Sequence, residues 1–130
     1  MNRNDLDKRL RDLGIYSDFY LRKELTPLAR LLTDGEQLNC ILTGVHEANR
    51  KMLAVTDRRL FIIFAGALSD KAVTVIRRSA VKDYRFEKKF LFSKLSIMTN
   101  SGDEFVFTNT QGSMKELFDW AMRQPIKDLE

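Results

Sequence analysis

The chain of 130 residues has one cysteine, one histidine, one tryptophan and two prolines. With Cys40 alone, no internal disulfide can form. Cys40 sits in the apolar stretch Leu38–Leu42 and reads as a small core residue rather than a reactive thiol. With His46 alone, no Cys/His cluster with zinc spacing exists. His46 falls in Thr43–Asn49, read as a loop between strands, where a lone histidine is expected to be exposed and idle. There is no GxSxG, Walker or dinucleotide fingerprint. Asp103 and Glu104 are adjacent, so on a strand they point to opposite faces and make a poor acid–base pair. The expectation is a non-enzymatic protein with no cofactor and no metal. The longest apolar run, Leu60–Ala65, is far short of a membrane span. The opening MNRNDLDKRLRDLG lacks the apolar region of a secretory signal, so a cytoplasmic location is expected. No low-complexity linker and no internal repeat interrupts the chain.

What is present is an ordinary globular balance, 44% hydrophobic and 31% charged, in a length that suits one compact core. The first third has helical character. Asn4 or Asp5 can cap a helix whose Leu6, Leu10 and Leu13 share one face, and Gly14 suits its left-handed C-terminal position. Ser17 can start a second segment through Leu21 and Leu25. Thr26-Pro27 reads as cap and first turn of a further helix carrying Leu28, Leu31 and Leu32, which ends at Asp34-Gly35. After Gly35 the period becomes that of strands. Seven are expected: Gln37–Thr43, Arg50–Thr56, Arg59–Ala65, Ala72–Arg77, Val81–Glu87, Lys94–Thr99 and Glu104–Thr108. Polar and apolar residues mix on both sides of the fifth, as suits a sheet edge or a half-exposed strand. Asn100–Asp103 is a turn signal. In Met52–Phe64, Thr56-Asp57-Arg58 breaks two runs rich in β-branched and aromatic residues. Thr56 and Asp57 are expected to bond turn backbone groups rather than a ligand.

Ser113 and Glu116 have capping-box spacing before a final helix. Its Met114, Leu117, Phe118, Ala121 and Met122 form a continuous apolar stripe, and Pro125 stops it. Seven short strands and one amphipathic helix pack best as two antiparallel sheets bent into an open barrel, with the helix plugging one end. The TDRRL hairpin, the Gly35-Glu36 entry to the first strand and the FTNTQG step before the last helix resemble bacterial pleckstrin-homology-like (PH-like) domains over residues 24–124. The resemblance implies a mainly β fold with α-helices, an open barrel of about seven antiparallel strands capped by a C-terminal helix. It also implies a non-enzymatic and often self-associating protein. The division expected is an N-terminal helical extension at 1–34, the barrel with its helix at 35–124 and a tail at 125–130.

The net charge of +4 is local. Residues 77–94 hold seven cations against Asp83 and Glu87, a local +5. Arg77, Arg78, Lys88, Lys89 and Lys94 are the candidates for an anionic partner such as lipid headgroups. The competing reading is a solvated face that keeps sheet edges from pairing. PH domains that bind phosphoinositides cluster cations around the loop between strands one and two. Here that loop carries His46 and Glu47, with Arg50 and Lys51 only at its far end. A different membrane candidate is the tip Lys88–Lys94, where Phe90, Leu91 and Phe92 stand between lysines. The same three residues can fold onto the core or pair with a neighbouring subunit. Trp120 lies off the apolar stripe and is an interface candidate, or folds over the barrel rim. Nucleic acid is the less favoured partner, since no recognised motif accompanies Arg77, Arg78, Tyr84 and Arg85. The expected partners are a second copy of the chain, another protein, or an anionic membrane surface.

Overall fold

A computed structural model describes residues 1–64, 73–89 and 92–127. Three helices come first: α1 (Arg3–Asp12), α2 (Tyr16–Phe19) and α3 (Leu25–Leu31). Seven strands follow: β1 (Leu38–His46), β2 (Asn49–Thr56), β3 (Arg59–Phe64), β4 (Val73–Arg77), β5 (Val81–Lys88), β6 (Ser93–Thr99) and β7 (Glu104–Thr110). The last element is α4 (Lys115–Arg123). Ala65 and Ala72, which the sequence reading placed in strands three and four, lie outside the described residues.

The strands form one antiparallel sheet in the order β4-β3-β2-β1-β7-β6-β5. It is not closed, and β5 is an edge, as its mixed faces suggested. The two halves of the sheet meet at a single register pair, Val45↔Thr108. Gly44 makes that seam possible. A Cβ there would stand 2.8 Å from Thr110 Cγ2 and 3.1 Å from the Thr108 carbonyl oxygen.

Alternation fades in the middle strands because both their faces are covered. Met52–Thr56 and Leu60–Ile63 are buried without a break. On one face lies α4, against β1 and β2. Its Phe118 is fully buried, with the Tyr84 ring edge-on at 5.5 Å and the Phe86 ring at 5.7 Å, so the helix bridges to β5. Leu117 and Met122 are only half-buried, at the margin of the stripe. The N-terminal helices join the same core. Leu6, Leu10, Leu25 and Leu28 are fully buried within the single chain. Arg9 Nε donates to the Leu38 carbonyl at 2.7 Å, and its Nη2 donates to Asn39 Oδ1 at 3.0 Å. The helices therefore pack on their own barrel.

Several local expectations are corrected. The cap of α1 is Asn2, whose side chain accepts from Asp5 N at 2.8 Å, rather than Asn4 or Asp5. Gly14 does follow α1 in a left-handed conformation, φ +76°. Helix α3 begins at Leu25 with Glu24 in the cap position, so Thr26 and Pro27 lie inside its first turn. The Ser113/Glu116 capping box does not form. A 3-10 turn occupies Gly112–Met114, and α4 starts after it with Met114 in the cap position and no side-chain cap.

Candidate interaction surfaces and the polar hub

The polar residues of the TDRR and Gly-Glu motifs converge on one buried hub. Thr56 Oγ1 accepts from Arg58 N at 3.0 Å and Arg59 N at 2.8 Å, closing the β2–β3 turn. Its hydroxyl donates to Glu36 Oε2 at 2.6 Å. Arg59 reaches both Glu36 oxygens, Nη2 to Oε1 at 2.6 Å and Nε to Oε2 at 3.2 Å, a two-pronged pair of the strong kind. Arg59 Nη2 also donates to the Leu31 carbonyl at 2.9 Å, which ties the end of α3 to the hairpin. Burial works to raise the Glu36 pKa, but donors from Arg59, Thr56 and Thr33 outweigh it and hold the carboxyl below its usual value. Asp57 is buried and structural, but its bond is long-range. Oδ1 accepts from Gln37 N at 3.0 Å, and Oδ2 has the Lys127 ammonium at 3.4 Å.

The FTNTQG step is a second bracing point. Asn109 takes a left-handed φ of +51°. Gln111 clamps β1 from both sides. Its Oε1 accepts from Thr43 N at 2.8 Å, and its Nε2 donates to Thr43 Oγ1 at 2.7 Å.

The expectation of an exposed loop histidine is corrected. β1 runs three residues further than Thr43, so His46 is its last residue and only 7% exposed. The ring stacks on Phe107 at 5.1 Å and lies 5.8 Å from Phe105. Nδ1 is 3.0 Å from the Val106 carbonyl oxygen and Nε2 is 3.0 Å from Glu47 Oε1. The loop itself is only Glu47-Ala48, both at positive φ (51° and 64°), as a two-residue hairpin turn demands. Lys51 is also drawn inward, its ammonium over the Phe64 ring at 4.6 Å. Cys40 is buried, and burial pushes its thiol pKa up, away from reactivity.

Arg78 is a further correction among the anion candidates. The 3-10 turn Arg78–Ala80 between β4 and β5 rotates it inward, and it is 3% exposed. Nη1 donates to the Thr56 carbonyl at 2.9 Å, and Nη2 to those of Met122 at 2.9 Å and Gln124 at 3.3 Å. It joins the β2–β3 turn to the end of α4 and faces no partner. Burial lowers its pKa, and Asp57 and Tyr84 counter that.

Arg77, Lys88, Lys89 and Lys94 are exposed. Arg85 and Lys89 both pair with Glu87, at 3.1 and 3.3 Å, and these contacts hold its carboxyl pKa low. Phe92 is 50% exposed on the β5–β6 hairpin, where its carbonyl accepts from Lys89 N at 3.1 Å. Phe90 and Leu91 lie outside the described residues. Trp120 is 36% exposed and borders a cleft of about 270 Å³ with Arg9, Asp57, Gln124 and Lys127. Sequence reasoning missed other exposed large apolar side chains, among them Leu21, Phe64 and Val75. Each sits in an apolar pattern that does not by itself tell an outer position from a core one.

No described helix is long and apolar enough to cross a membrane. Among the described residues, no group of three His, Cys, Asp or Glu side chains is placed to hold a metal ion.

Residues 32–121 match a family described as Bacterial PH domain. Among solved structures, the C-terminal domain of an unknown protein from Leishmania infantum is similar over 92% of this chain and 92% of its own, at 18% identity and a TM-score of 0.54. A pleckstrin homology domain from Shewanella amazonensis shares 21% identity over 73% of this chain and 92% of its own, with a TM-score of 0.48. A protein with a pleckstrin-homology domain from Shewanella loihica shares 17% identity over 90% of this chain and 92% of its own, with a TM-score of 0.49. No curated protein matches the chain.

Proposed function

The chain belongs to the bacterial PH domain family, and from that premise we propose that it is a non-enzymatic binding or scaffolding domain that associates with copies of itself. The observation that carries this reading is the contrast between two sets of side chains. Chemistry-bearing groups are committed to the fold: Glu36 and Arg59 to each other, Asp57 to Gln37, Arg78 to three carbonyls, and His46 to Val106 and Glu47. Phe92 and Trp120, by contrast, stand partly in solvent on two different elements. Half-exposed large apolar residues outside a well-filled core suit an interface. The experiment is size-exclusion chromatography with light scattering on Phe92→Asp and Trp120→Asp. A smaller but folded species is expected, because a charge forced into a dry interface is costly unless paired. Wild-type size in both variants would contradict the assignment of these residues.

A second reading is a peripheral membrane module acting through the β5–β6 hairpin. Exposed Lys88, Lys89 and Lys94 beside half-exposed Phe92 support it. Each cation near an anionic surface contributes about 1 kcal/mol. Sedimentation with anionic vesicles at two salt concentrations separates the readings. Salt-sensitive capture favours the membrane, and an oligomer unchanged by vesicles favours scaffolding.

A further inference from the structure

We propose that the outer edge of β4 is a self-pairing site, at which β4 of a second copy adds in antiparallel register about Val75. This rests on the self-association reading and names the surface that carries it. The sheet is open, and among the described residues no strand pairs with the far edge of either β4 or β5. Such edges are templates for another strand, and proteins usually blunt them with charge or bulges. The two edges differ in this respect. Strand β5 has exposed Lys82, Asp83, Arg85 and Lys88, and a register shift between Val81 and Asp83. Strand β4 has no register shift and only a terminal charge. It reads Val-Thr-Val-Ile-Arg and pairs with β3 over five consecutive residues. Val75 at its centre is 46% exposed, and Thr74 and Arg77 are exposed beside it.

The occupant that fits is the same strand. Antiparallel pairing about Val75 sets valine against valine at the dyad, Thr74 against Ile76, and Val73 against Arg77. β-Branched cross-strand pairs are favourable. The two Arg77 side chains then lie at opposite ends of the new ladder, four residues or about 14 Å apart at ~3.4 Å per residue. That exceeds the screening length of about 8 Å at physiological salt, so the only charge on the strand does not oppose its copy. The β5 edge of a neighbour, bulged and charged, offers no such match. An isologous contact of this kind closes as a dimer and does not propagate.

The test is sedimentation equilibrium on Val75→Lys and Thr74→Lys, with Val75→Ile as the conservative control and circular dichroism to confirm folding. Each lysine variant should raise the dissociation constant of the pairing step at least tenfold, and Val75→Ile should keep it. If Val75→Lys does not fold, Thr74→Lys decides. Folded lysine variants with wild-type mass, alongside a lowered mass for Phe92→Asp or Trp120→Asp, overturn the edge proposal and leave self-association standing. A wild-type protein that is monomeric throughout overturns both.

Discussion

Replacing Glu36 with glutamine should lower stability by about 3–5 kcal/mol, the cost of leaving one member of a buried ion pair without its partner. The Glu36 side chain is fully buried, and the Arg59 side chain is 15% exposed. Glutamine keeps the shape but turns an amide donor toward Arg59 or Thr56, both of which donate to the carboxylate. The loss reaches three elements, since Glu36 also accepts from Thr33 N at 3.1 Å and Arg59 holds the Leu31 carbonyl. A domain of this size is stable by only ~5–15 kcal/mol, so the variant should be close to its threshold. Urea melts at pH 7 measure this, with the slope unchanged if only stability has moved. The pH dependence gives an independent check. Glu36 has a lowered native pKa, so on acidification the unfolded chain binds the proton first and stability falls. The contribution should be fully present above about pH 5 and lost as pH drops through the native value. Glu36→Gln should lack this part of the acid response. A loss under ~1 kcal/mol with an unchanged acid limb would refute the claim that the hub holds the fold together.

Other perturbations test separate parts of the structure. Phe118→Ala should cost about 3–5 kcal/mol in the same melts, because the ring is fully buried against Tyr84 and Phe86; a loss below ~1 kcal/mol would mean that α4 does not plug the barrel. Ala48→Gly should stabilise by roughly 0.5–1 kcal/mol, since Ala48 is held at φ 64° where glycine is unstrained. No gain in melting temperature would contradict the turn geometry. Lys88→Glu/Lys89→Glu should abolish any capture by anionic vesicles while leaving the oligomer intact, and equal capture would remove the hairpin from the membrane reading.

The strands were legible because their polar breaks are local. Thr56-Asp57 and Asn100–Asp103 announce turns by residue type alone. The stripe of α4 was equally plain, because helical spacing needs no knowledge of the partner. Burial was less legible wherever it depends on distant chain. Arg78 counts as a surface cation along the sequence, yet three carbonyls from residues 22 to 46 positions away draw it inward. His46 looked like loop because the pairing that extends β1 comes from β2, and its cover from Phe105 and Phe107. Asp57 was expected to cap its own turn and instead holds Gln37, twenty residues earlier. The cap of α4 failed for a local reason: a 3-10 turn took up Ser113 before the helix began. The partial exposure of Phe92 and Trp120 was legible from pattern. That of Val75 was not, because a valine on a strand has the same signature at an edge as in a core.

The most direct measurement is sedimentation equilibrium of the wild-type chain, without lipid, at low and high salt over a wide concentration range. Self-association through apolar side chains and strand pairing predicts a mass that is a multiple of 15.1 kDa and persists at high salt. A single 15.1 kDa species at every concentration and both salts would contradict it.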